Sequence, residues 1–581
     1  MRAGFLLSVC SAALPLAPAQ ELDRNATANG AAGALVTVHG EVRNAATGQP
    51  VPRALVRIEG DADTGALTDG EGRFEIPGLA AGPQAFQVTK PGFRDRPYAA
   101  GGAVADEMIG PAHNVLVAEG MPPLVFLLAP TSAVRGPIAL STGDPAQGIE
   151  LNLLKRRVED GRAVWQPAGV TKTDSEGAYR FAGLADGVYV IYTTPTLESE
   201  PASTLVGEGG SVARAGYASI FYPDARDLTG AARIQLAGGE QAQANFTLTL
   251  EPFHTVTAEA LLPGGALYGS GNPAVAGMNL TAQVMDAQGH VLPYNAMYDP
   301  GTKTVQATLP DGVYSLVVIV TVSRFTASLA GNNSGTAAVD AGPFAGAAEF
   351  TLAGHAISNL RVPLSAPRGG PIQTTVTRSA TQTSTAQGGA IMVTVSQAGG
   401  WIDGGMMSAF ASGAAPGPLE TAYTLPGQYW VHTHISQRGL CEASFTAGGA
   451  NLAREPLVVG IAGSTAPMEL TLRDDCARLT LSLPQNLAGM AAGEEPSYTV
   501  YVVPGFDTTT DVTPLTLRAS TGGTITLEDL TPGSYSVYTF SGPARLEYRN
   551  PAVLAALPNP GQTVTLSAGT TSSLVLEAPG H

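Results

Sequence analysis

The sequence predicts an all-β protein, a tandem array of about five β-sandwich modules. Three observations predict it: a turn-and-strand motif recurs at single-domain spacing, apolar and polar residues alternate with almost no stretch of helical period, and glycine and proline punctuate the strands. The chain has 581 residues with 70 Gly and 43 Pro. That length exceeds what one hydrophobic core supports, and 44% hydrophobic content is enough for several.

The motif is clearest in two copies. The first runs Thr68-Asp69-Gly70-Glu71-Gly72-Arg73-Phe74-Glu75-Ile76 and closes Gly78-Leu79-Ala80-Ala81-Gly82. The second runs Thr173-Asp174-Ser175-Glu176-Gly177-Ala178-Tyr179-Arg180-Phe181 and closes Gly183-Leu184-Ala185-Asp186-Gly187. Asp with Gly makes a hairpin turn, because the carboxylate bonds the local backbone and Gly accepts positive φ. The alternating segment that follows sets its apolar residues on one strand face. Shorter copies end at Gly312, Gly427 and Gly533, each followed two residues later by Tyr314, Tyr429 and Tyr535. The closing glycines lie 105, 125, 115 and 106 residues apart, one domain each.

In chain order, residues 1–19 read as a secretory signal peptide: Arg2, then a short apolar run, then the small-residue site Ala17-Pro18-Ala19. Val9 is too large for Cys10 to be a lipidated cysteine. Residues 20–33 read as a disordered leader, followed by sandwiches over 34–130, 131–251, 252–366, 367–475 and 476–581, expected as a row of separate two-layer units. No later apolar run reaches the roughly 20 residues of a membrane helix, so no transmembrane segment is expected after cleavage. The expected location is secreted, periplasmic or on a bacterial cell surface.

A net charge of -17 from only 14% charged residues gives no footing on phosphate, which excludes nucleic acid as a partner and leaves a glycan or a protein. Once the leader is gone, Cys441 and Cys476 remain as a pair, expected as a disulfide in an oxidising compartment.

The stretch from Val38-His39-Gly40-Glu41-Val42 through Thr47-Gly48-Gln49-Pro50-Val51-Pro52 to Val56-Arg57-Ile58, with Thr68-Asp69-Gly70-Glu71-Gly72-Arg73-Phe74 and Lys90-Pro91-Gly92-Phe93, resembles a carboxypeptidase regulatory-like domain. Module two is similar over Gly169 to Tyr192, and its continuation through Ile220-Phe221-Tyr222-Pro223 to Phe246 resembles large secreted acidobacterial proteins that chain such domains. The resemblance implies a transthyretin-like (prealbumin-like) or starch-binding-like sandwich, of the wider Ig-like class. In metallocarboxypeptidases such a module accompanies the peptidase and does no chemistry.

No catalytic, cofactor or metal residue is assigned. None of the eight His begins a His-x-x-Glu zinc motif, and no G-x-S-x-G elbow, S-x-x-K or phosphate-cradling loop is present. Asp61, Asp63, Asp69 and Glu71 cluster as calcium ligands do, yet their spacing fits no EF-hand and turn formation accounts for them. The candidate binding residues are Trp401, Trp430, His432 and His434. With Tyr429 facing the core, alternation sends Val431, Thr433 and Ile435 inward and groups Trp430, His432 and His434 on the opposite face. That face suits a sugar ring or a metal, or is a stripe covered by a neighbouring module. The expected function is an exported, non-catalytic binding or scaffold protein. The alternatives are a carbohydrate-binding protein and an accessory protein of a secreted peptidase or glycosidase.

Overall fold

The computed structural model describes residues 35–577 apart from 62, 96–112, 199–203, 207–211, 270–277, 287–288, 323–343, 366–369, 379–387, 399–407, 422–423, 425, 461–463, 484–497, 518–522 and 542–543. The expected signal peptide, the leader and Trp401 lie outside the described residues. The described chain is β throughout, save one short helix, Pro551–Ala555. No helix among these residues is long and apolar enough to cross a membrane.

Among the described residues, five larger hydrophobic cores follow one another along the chain, built around Phe126, Leu151, Val318, Phe410 and Val500, with three smaller clusters beside them. Each has the same frame. The first strand of a module pairs in parallel with its last, through Gly40↔Leu124, Ile138↔Phe246, Ala258↔Leu360, Thr374↔Leu470 and Thr480↔Ser573. The same first strand pairs antiparallel with an inner strand, as in Gly40↔Phe74, Val134↔Phe181, Val256↔Ala307, Ile372↔Leu419 and Leu481↔Ile525. A parallel closing strand cannot arise from a hairpin, so each module is tied end to end by a long-range pairing.

The repeated residues explain the repeated frame. Asp69 accepts from the backbone N–H of Glu71 and of Arg73, and Asp174 does the same for Glu176 and Ala178. These carboxylates are turn formers, and the backbone bond from Arg73 holds the Asp69 carboxyl below the ordinary carboxylate range. Thr68 Oγ1 donates to Val51 O at 2.7 Å and Thr173 Oγ1 to Ala146 O at 2.5 Å, so the residue before each turn is buried and satisfied. At the motif's end the tyrosine hydroxyl reaches back four residues: Tyr189 to Ala185 O, Tyr314 to Pro310 O and Tyr535 to Thr531 O.

Two features depart from a row of separate two-layer units. Strand Val212–Tyr217 pairs with Leu250–Leu261 through Arg214↔Phe253, so one seven-stranded sheet crosses from module two into module three. In module four, strand Gly417–Thr421 pairs both with Ile372–Thr377 and with Ser408–Gly413, joining nine strands in one continuous sheet. Shared ladders satisfy edge N–H and C=O groups that isolated sheets would leave open.

Candidate functional site

The hairpin of module two, Glu150–Glu159 with Arg162–Lys172, is longer than its own core needs. Its turn is Asp160-Gly161, both at positive φ (46° and 72°), the backbone geometry of a tight two-residue hairpin. Its tip does not end in solvent but lands on modules four and five. The backbone N–H of Arg549 donates to Gly161 O at 3.0 Å, and Arg549 Nε donates to Asp160 O at 3.1 Å. A Cβ on Gly161 would sit 2.6 Å from the Tyr548 ring, so glycine is required both by the turn and by this close approach. Further along the hairpin, Arg156 pairs with Glu547.

Strand Gly427–Ile435 supplies the opposite wall. Tyr429 and Val431 enter the module-four core, which turns Trp430 and His432 outward. The guanidinium of Arg162 lies 3.4 Å from the Trp430 ring centre and donates to Ala453 O at 3.1 Å. Burial, with the nearby Arg549 charge adding to it, pulls the Arg162 guanidinium down to about 10. Of the other candidates, His434 is exposed, and Trp430 is half-buried with a face taken by Arg162, so no sugar stacks there while the hairpin is docked.

His432 is only 3% exposed. Its Nε2 lies 2.9 Å from Ser396 Oγ, on the adjacent strand Ile391–Gln397. Its Nδ1 lies 2.9 Å from Asp511 Oδ1 in module five and 4.0 Å from Asp160 Oδ2 in module two. Arg549 closes the group, donating to Asp511 Oδ1 at 3.2 Å and to Thr508 O at 2.9 Å. Burial pushes the Asp160 carboxyl up, Asp511 adds to that, and His432 and Arg549 oppose it.

The order hydroxyl, imidazole, carboxylate in Ser396, His432 and Asp511 is that of a nucleophile, its base and an orienting acid. Acyl transfer also needs room for the acyl group and donors aimed at the oxyanion. Ser396 instead lies within a paired ladder opposite Trp430, and the space in front of it, under the hairpin, is about 60 Å³. A drug-sized ligand needs several times that volume.

Modules four and five are joined more tightly still. Glu442, 2% exposed, accepts from the Thr509 N–H and hydroxyl at 2.7 Å each and from the Thr510 hydroxyl at 3.2 Å. Burial raises the Glu442 carboxyl above its ordinary value, with the threonine bonds opposing. Next to it, Cys441 is disulfide-bonded to Cys476, with Cα atoms 5.9 Å apart, bearing out the sequence expectation. Thr433 and Thr509 exchange a hydroxyl contact at 2.6 Å, and a cleft of about 310 Å³ remains between the two modules.

Asp160, Arg162, Ser396, Glu442, Asp511 and Arg549 were not singled out from the sequence as site residues. The one local signal was the Asp160-Gly161 turn inside a long alternating segment. Asp511 and His432 are 79 residues apart, and no spacing rule joins them.

No curated protein matches the chain. Among solved structures, the minor pilin of Streptococcus agalactiae is 15% identical over 37% of this chain and 96% of its own, with a TM-score of 0.18. A streptococcal ancillary pilin is 12% identical over 57% and 98%, at 0.18. Two B repeat units of the Staphylococcus aureus collagen-binding protein are 11% identical over 72% and 94%, at 0.12. In the sequence itself, residues 37–106, which make up most of the first module, match the family model of the carboxypeptidase regulatory-like domain.

Proposed function

We propose that the chain is an exported, non-catalytic scaffold that presents sandwich loops to a protein or glycan partner from a rigid platform at the bacterial surface or outside the cell. The observation that carries this reading is where its reactive side chains are spent. His432, Asp511, Arg162, Arg549 and Glu442 all hold one module against another, and this is so even for Glu442 and Asp511, which line the cleft between modules four and five. Such a clamp fixes the angle between modules, which a flexible chain of beads would not.

Export is tested by fractionating bacteria that express the full chain. The expected product is found outside the cytoplasm, begins at Gln20 and carries the Cys441–Cys476 bond. A chain retained in the cytoplasm with Met1 to Ala19 intact would overturn the export reading.

A further inference from the structure

We infer that Asp160, His432 and Asp511 form a binding site for a single divalent transition-metal ion, zinc being the best match, at the point where modules two, four and five meet. One ligand atom from each residue lies within 4.8 Å of the others. Ligand atoms around a tetrahedral zinc, at roughly 2.0–2.2 Å from the ion, are themselves about 3.3 Å apart. The observed separations of 2.9 Å and 4.0 Å from His432 Nδ1 fall on either side of that value.

Three further features point to a cation. First, the imidazole is oriented from behind by Ser396 Oγ, 2.9 Å from Nε2; the tautomer with the proton on Nε2 frees Nδ1 to ligate, as ligating histidines are usually held by a bond at the other ring nitrogen. Second, among the described residues no group donates a hydrogen bond to the Asp160 carboxylate, and His432 Nδ1 lies 4.0 Å from its Oδ2. Third, two carboxylates share this half-buried place, where each disfavours the charge of the other unless a cation lies between them.

The donor set selects the ion. One imidazole nitrogen and two carboxylate oxygens suit zinc or its neighbours, whereas calcium requires six to eight oxygens. Arg549 donates to Asp511 Oδ1 at 3.2 Å, and the second lone pair of that oxygen is left for the ion. Since each module gives one ligand, the ion would lock the clamp rather than any single domain. This inference rests on the scaffold reading and adds a control to it.

The test uses the full mature chain, stripped with chelator and titrated with Co²⁺ as a spectroscopic stand-in. The expected result is one Co²⁺ per chain with the visible absorption of a four-coordinate nitrogen–oxygen site, displaced by Zn²⁺. Asp160→Asn keeps the turn, because Asn tolerates positive φ, and should bind at least tenfold more weakly with an unchanged circular dichroism spectrum. His434→Ala, altering an exposed neighbour, should bind as the parent does. A parent that takes up no stoichiometric Co²⁺, or an Asp160→Asn variant of equal affinity, would overturn the site. A metal-free parent whose hairpin is nonetheless docked and which takes up no Co²⁺ rejects the metal site while leaving the scaffold standing.

Discussion

Replacing Glu442 by Ala should loosen modules four and five by about 3 to 5 kcal/mol, the largest effect expected from any single substitution at the junction. The carboxylate answers three donors in a place closed to water: the Thr509 N–H, the Thr509 hydroxyl and the Thr510 hydroxyl. Each donor left buried and unpaired costs roughly 1 to 3 kcal/mol, and the vacated volume adds to that. The measurement is the urea midpoint of the transition that separates the two modules, in the full chain.

Glu442→Gln isolates the charge. Because the folded carboxyl is raised above its ordinary value of 4.5, the wild-type junction holds its full contribution below that value and loses part of it as pH rises through the folded pKa. Compared with Glu442→Gln, the wild type should therefore weaken as pH climbs from about 4.5 upward. A difference that grows toward acid in the opposite sense would show the carboxylate to be stabilised in its charged form.

Removing the disulfide should cost a comparable amount. The bond closes a loop with a sequence separation of 35, for which the chain-entropy estimate is about 3 to 4 kcal/mol. It joins the start of strand Cys441–Ala447 to the residue before strand Ala477–Ser482, one in the module-four core and the other entering that of module five. For a unit the size of these two modules, the double Cys→Ser variant should melt on the order of 10 °C lower. Cys441 and Glu442 are neighbours in one network, so combining this variant with Glu442→Ala should cost less than the sum of the two.

Much of the fold was legible because it is local. The Asp69 and Asp174 turns, the alternation after them and the tyrosine two residues beyond Gly187, Gly312, Gly427 and Gly533 are short-range instructions; in the first module Gln84 takes that place and likewise reaches back four residues, to Ala80 O. The face opposite Tyr429 was legible for the same reason: strand alternation alone sends Trp430 and His432 outward. What covers that face was not, since Arg162 and Asp511 come from 268 and 79 residues away and arrive there only by packing. The strand from module two that extends the sheet of module three was hidden too, because a free edge carries no sequence mark of its partner. Chemistry confined to one strand can be read from sequence spacing. Chemistry assembled from three modules cannot.

The claim that this array folds back on itself, with the module-two hairpin docked on modules four and five, is tested most directly by one distance. Spin labels at Ala163, on the hairpin, and at Glu455, beside the Ala453 carbonyl that Arg162 reaches, are both at exposed positions. The docked arrangement predicts a single short, narrow distance distribution that broadens and lengthens in Gly161→Ala, where the new methyl group meets the Tyr548 ring. A broad, long distribution in the parent chain, unchanged by Gly161→Ala, would contradict it.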